Sequence, residues 1–128
     1  SRVQDATKKL GLPLLITGST RDKLPAEFAT RRLCTAHVAG IREAVALYEL
    51  RGLQATPDWL RQRDDYEAAL ADFEAGQWCN ACQALVTLTG LDQAKNRFDI
   101  PTVKLLRKAW ESLEKREALD PVIDLTLA

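Results

Sequence analysis

ATRRLCTAHVAGIREAVALYEL, residues 29–50, reads as two strands joined by a tight turn. Gly40 falls in the turn region, where a positive φ costs glycine nothing. In the second strand Val45 and Leu47 face one way, and Ala46, Tyr48 and Leu50 face the other. A strand apolar on both faces is normally covered on both sides. The chain must therefore supply two covers or meet one on a partner. The first strand alternates imperfectly, because Leu33 and Val38 have opposite parity. That pattern calls for a bulge or a strong twist between them.

Upstream, LPLLIT, residues 12–17, suits a short strand with Pro13 at its start, where no ladder donor is needed. Residues 1–10 fit an amphipathic helix with Val3, Ala6 and Leu10 on one face and Gly11 at its end. GSTRDKLPAEF, residues 18–28, fits a short helix capped by Ser19 or Thr20, with Asp22 in its first turn and Pro25 limiting its length. Leu24 and Phe28 are expected to pack back on the sheet.

Downstream, RGLQATPDWLRQR, residues 51–63, breaks the periodicity with Gly52 and Pro57 and is expected to be a packed connector anchored by Trp59 and Leu60. The period then changes from two to about 3.6. Asp64 and Glu67 form a capping box, and Tyr66, Ala69, Leu70 and Phe73 give one apolar helix face up to Gly76. Trp78, Ala81, Cys82, Leu85 and Leu88 give a second face, closed by Gly90. Pro101 opens a third helix whose stripe is Val103, Leu106, Trp110 and Leu113. Val122, Ile123 and Leu125 of the apolar tail are expected to dock on the helices. The expected class is therefore α+β: a sheet-bearing module over residues 1–50, a connector over 51–63 and a helical module over 64–128.

Composition excludes several classes. Of 128 residues 46% are apolar and 28% charged, and 18 basic residues balance 18 acidic ones. The chain should fold, and nothing in its charge drives it onto nucleic acid or an anionic membrane. No run approaches the roughly 18 apolar residues of a membrane span. The opening SRVQDATKKLG has neither an initiator Met nor the apolar core of a signal peptide, and reads as cut from a longer chain. Cys79 and Cys82 match a CxxC spacing, but no second pair accompanies them and His37 is distant in sequence. Their expected role is to fill a helical core as small residues. Cys34 makes the cysteine count odd, against a secreted disulfide scaffold.

No Walker loop, HExxH or nucleophile elbow is present. His37, between Ala36 and Val38, reads as a structural strand residue. Arg31 and Arg32 fit either a phosphate ligand or a solvated strand edge. Lys8, Lys9, Arg21 and Lys23 read as surface charges, and Asp5 and Asp22 as isolated carboxylates. On these residues alone no chemistry emerges.

The first fifty residues resemble the C-terminal part of a class III adenylate/guanylate cyclase catalytic domain. SRVQDATKKLG is similar to the segment that begins at the arginine of that family's Asn-x-x-x-Arg motif. LPLLITGSTRDKLPAEF resembles the next strand and short helix, and RRLCTAHVAGIREAVALYEL the closing hairpin. Ala39 stands where the family usually has the turn lysine, Cys34 where it often has glycine, and Ala44 where it has proline. Residues 64–127, through YEAALADFEAGQWCNACQAL, resemble the degenerate tetratricopeptide-like tail of some bacterial cyclases.

The resemblance implies a partial ferredoxin-like cyclase sheet followed by a small helical TPR-like tail. It implies a parent that converts ATP or GTP to the 3′,5′-cyclic nucleotide plus pyrophosphate, using Mg2+ or Mn2+. Arg2 maps onto the transition-state arginine. The motif's Asn, the two metal aspartates and most base-selecting residues would precede Ser1. The expectations that follow are an inactive fragment with no metal bound and a need for the N-terminal part of the catalytic domain. Homodimers or domain-swapped oligomers should form through open apolar sheet surface. The location is cytoplasmic, with the parent tethered to a membrane upstream if at all. The competing expectation is a non-enzymatic helical interaction or regulatory module.

Overall fold

A computed structural model describes residues 14–95, 97–115 and 122–125. The helix expected over residues 1–10 lies outside them. The elements are β1 (Leu15–Thr17), α1 (Gly18–Asp22), β2 (Ala29–His37), β3 (Val45–Gly52), α2 (Pro57–Glu74), α3 (Trp78–Ala94), α4 (Ile100–Lys115) and β4 (Ile123–Asp124). The protein is α+β. One compact unit holds the four strands and α1; the other holds α2 from Asp58 onward, α3 and α4.

In the first unit the sheet order is β1-β3-β2-β4. β3 lies antiparallel to both β1 and β2, and β4 joins β2 in parallel. β2 has register shifts between Ala29 and Thr30 and between Arg32 and Cys34, the second at Leu33 itself rather than between Leu33 and Val38 as expected. Arg32 lies opposite Tyr48 and Cys34 opposite Leu47, so Leu33 is the extra residue of a bulge. The bulge lets the consecutive residues Leu33 and Cys34 both be buried, at 1% and 2% exposure. Val38 and Ile41 then close the turn, the Ile41 N–H donating to the Val38 carbonyl at 3.0 Å. Gly40 supplies the positive φ, 78°.

Cross-strand partners share a face, so register assigns both sides of the sheet. Leu15, Arg31, Cys34, Ala36, Leu47 and Glu49 lie on one side and are all buried. Full burial of an apolar side chain such as Leu47 stabilises by about 1.5–3 kcal/mol. Thr17 and Val45, which register places on the same side, are half-buried. Ile16, Arg32, Ala46, Tyr48 and Leu50 on the other side are half-buried. There α1 lies across the sheet: a Cβ on Gly18 would stand 3.7 Å from both Ala46 Cβ and Tyr48 Cε1. The cap of α1 is Thr17, whose hydroxyl accepts from the Thr20 N–H, rather than Ser19 or Thr20. Asp22 consequently ends the helix instead of opening it.

Residues 122–125 join the sheet, where docking on the helices was expected. Ile123 pairs with Ala36 and Asp124 with His37, and the Leu125 N–H donates to the His37 carbonyl at 2.9 Å. A strand edge offers ladder groups that β-branched residues such as Val122 and Ile123 meet readily.

In the second unit the expected connector is shorter. β3 runs through Gly52, only residues 53–56 are irregular, and α2 starts at Pro57. Proline suits the first position of a helix and Asp58 its positive end. Asp64 and Glu67 are therefore interior helix residues, not a capping box. Tyr66, Ala69, Leu70 and Phe73 are buried as their spacing predicts. The helix ends in a Schellman motif: Gln77 N–H reaches the Asp72 carbonyl at 2.7 Å and Gly76 N–H the Phe73 carbonyl at 3.1 Å, with Gly76 at φ 81°.

α3 buries Ala81, Cys82, Leu85 and Leu88 but passes through Gly90 to Ala94. Gly90 costs about 1 kcal/mol relative to alanine. The buried face continues beyond it to Asp92, which pairs with the Arg97 guanidinium at 3.0 Å. At the far end from Gly76, Asp58 meets Lys95 at 2.6 Å and Arg97 donates to Gln62, which fixes α2 and α3 as an antiparallel pair. The Lys95 hydrogen bond, helped by Arg61, holds the Asp58 carboxyl below its usual 3.8. A depressed folded pKa means this contribution is complete above the unfolded value and is lost as pH falls through the folded one.

α4 is capped by Asp99, whose carboxylate accepts from Thr102 N–H at 3.3 Å and Thr102 hydroxyl at 2.5 Å. Its buried side is Pro101, Thr102, Leu105, Ala109 and Ser112. The expected stripe lies one position further round: Val103, Leu106 and Leu113 are half-buried and Trp110 is 57% exposed. Small Ala109 and Ser112 let α4 approach α3 closely, and close backbone approach outweighs side-chain size. Leu105→Ala should therefore lower stability by about 2–5 kcal/mol in urea unfolding, and Trp110→Ala by less than about 1 kcal/mol. The reverse ranking would return the buried face to the large apolar residues.

Candidate functional site

Arg2, the one catalytic residue the resemblance implies, lies outside the described residues. Arg31 and Arg32 are adjacent in sequence, but the strand sends them to opposite sides of the sheet. Arg31 Nε donates to Glu49 Oε1 at 3.1 Å, with side-chain exposures of 7% and 9%. A guanidinium engaged this way has its charge matched by a carboxylate from the neighbouring strand. The phosphate-ligand reading of Arg31 is therefore replaced by an internal ion pair.

Arg32 lies on the other side and donates to the Thr35 hydroxyl at 2.9 Å, spanning the bulge. Arg21 reaches the same side from α1. Its guanidinium carbon sits 5.0 Å from the Tyr48 ring centroid, and its Nε donates to the Thr30 hydroxyl at 3.4 Å. Arg21 is thus more than a surface charge: it stacks on an aromatic face as guanidinium groups do. Arg21, Thr30, Arg32, Thr35 and Tyr48 make this side polar and cationic. α1 and the bulge in β2 position them.

His37 is exposed, and the structure uses its backbone carbonyl to seat Leu125. Cys34 and Cys82 are buried as small core residues. Cys79 is exposed, so the helical core takes only the second cysteine of the CxxC pair. Burial, and then the neighbouring Cys79, push the Cys82 thiol above its usual value.

Among the described residues no group of three or more His, Cys, Asp or Glu is placed to hold a metal ion. A cavity lined by Thr89, Asp92, Arg97, Phe98 and Val103 offers about 10 Å³, enough for a single water. No helix among the described residues is long and apolar enough to cross a membrane.

Sequence reasoning missed the Arg31–Glu49 pair because the two residues are 18 apart and meet only once strand register is known. It missed the Arg21–Tyr48 stack for the same reason. The available signal was parity: with a bulge at Leu33, Arg31 and Leu47 fall on the same side.

No family model, curated protein or solved structure matches this chain.

Removing one member of a buried ion pair strands the other charge. Arg31→Met alone should cost about 3–5 kcal/mol, while Arg31→Met with Glu49→Leu should recover to within about 1 kcal/mol of wild type. Equal losses in the single and double variants, by urea unfolding, would show that the pairing is not what burial of these charges depends on.

Proposed function

We propose that this chain is the C-terminal portion of a class III nucleotide cyclase catalytic domain carrying a tetratricopeptide-like helical tail, and that it does not cyclise a nucleotide by itself. The observation that carries the reading is the order β1, α1, β2, β3. A strand, a short helix and an antiparallel hairpin occur over the stretches whose sequence is similar to those elements of the family. The antiparallel α2–α3 pair supports the tail assignment in the same way.

In the parent, ATP or GTP would give the 3′,5′-cyclic nucleotide and pyrophosphate. Arg2 would follow the charge that grows on the α-phosphoryl oxygens, a task suited to a planar, permanently charged donor fork. The family's metal-binding aspartates are not matched in this sequence, so the activity belongs to an assembly with the rest of the catalytic domain. The partners are that domain and a second copy, as a homodimer or an exchanged oligomer.

A second reading, a non-enzymatic interaction module, is favoured by one observation. Val86, Phe98 and Trp110 of the helical unit are 59%, 73% and 57% exposed. Aromatic residues such as Phe98 and Trp110 are enriched on recognition surfaces.

With Mn2+ and either ATP or GTP, the chain alone should form no cyclic nucleotide. In the complete parent, Arg2→Ala should lower turnover by about 100-fold or more. Product from the chain alone would overturn its inactivity, and an unaffected parent would remove Arg2 from the chemistry. Sedimentation should show self-association at high micromolar concentration; a clean monomer there would contradict the proposed pairing.

A further inference from the structure

The CxxC of the helical unit sits at the start of α3, after Gln77, which makes no side-chain cap there. Cys79 is in the first turn and exposed, whereas Cys82 follows one turn later at 6% exposure. From helix rise and radius, residues three apart have Cα atoms about 5 Å apart. That falls inside the roughly 4.4–6.8 Å range that a disulfide bridges. The Gln83 amide donates to Cys79 Sγ at 3.9 Å, so a donor already stands beside the exposed sulfur.

We propose that Cys79 and Cys82 form a thiol–disulfide exchange site, with Cys79 attacking and Cys82 resolving, whose substrate is a small disulfide such as oxidised glutathione. The asymmetry of exposure assigns the roles. Cys79 is exposed to a molecule from solvent, and Cys82, one turn along the same helix, lies within reach of the mixed disulfide. Burial shields Cys82 from solvent and pushes its thiol above the usual value.

The chemistry balances. The Cys79 thiolate attacks one sulfur of oxidised glutathione; a protein–glutathione S–S bond forms, the glutathione S–S bond breaks, and the leaving thiolate takes up a proton. Cys82 then attacks Cys79 Sγ, its proton passing to the second departing glutathione thiolate. Two protein thiols are oxidised by two electrons to one disulfide, and oxidised glutathione is reduced to two thiols. Cys34, buried on β2, takes no part. This site is independent of the cyclase reading and survives if that reading fails.

The test exposes the full chain to oxidised glutathione, quenches with acid, alkylates free thiols and maps tryptic peptides by mass. Residues 64–95 form one tryptic peptide holding Cys79 and Cys82, and residues 33–42 another holding Cys34. Wild type and Cys34→Ser should both yield the 64–95 peptide short of two hydrogens, reversibly with dithiothreitol. Cys82→Ser should stop at glutathione on Cys79, about tenfold more abundant than in wild type. Cys79→Ser should give neither product; circular dichroism should stay native, because the side chain is exposed. The proposal is overturned if wild type keeps both thiols, if it stops at the glutathione adduct without closing the ring, or if Cys79→Ser reacts as fast as wild type.

Discussion

The register of β2 against β3 is the constraint that the sheet unit depends on. One extra residue, Leu33, separates the pair Arg32–Tyr48 from the pair Cys34–Leu47. Without it the alternation of β2 would continue unbroken, and Arg31 and Cys34 would fall on opposite sides of the sheet. With it Arg31, Cys34 and Ala36 share the buried side with Leu47 and Glu49. The apolar contacts and the ion pair are thus set by a single local irregularity. The same irregularity places Arg32 with Tyr48 on the polar side, where α1 brings Arg21. The short strands β1 and β4 add to an arrangement already fixed by the central hairpin.

The parts of this fold that sequence reveals are those with a self-contained period. The β2 and β3 strands, the need for a bulge, and the faces of α2 and α3 follow from spacing alone, since each repeats over several residues. The face of α4 does not. Thr102, Leu105, Ala109 and Ser112 and the apolar set Val103, Leu106, Trp110 and Leu113 have identical spacing one residue apart. Hydrophobicity chose the larger set, whereas close approach to α3 selects the smaller. β4 was illegible because a two-residue strand exists only through the edge it joins, and His37 supplies that edge from far upstream in the chain.

The candidate site divides along the same line. Arg31 and Arg32 were visible as basic residues, but their opposite roles depend on which side of the sheet each occupies. The CxxC was visible as a spacing. Which cysteine meets solvent depends on which face of α3 is packed, and Cys82 shares that face with Ala81, Leu85 and Leu88. The proposed cyclase origin rests on sequence likeness in the first fifty residues together with element order. Arg2, to which that proposal assigns catalysis, is outside the described residues.

The most direct test of the bulge-centred account is inter-strand NMR contacts along β2 and β3. The account predicts cross-strand proximities between Arg32 and Tyr48, between Cys34 and Leu47, and between Thr35 and Ala46, with Leu33 inserted between the first two pairs. An unbroken ladder in which Leu33 faces Leu47 would contradict it, because Arg31 and Cys34 could not then share one buried side.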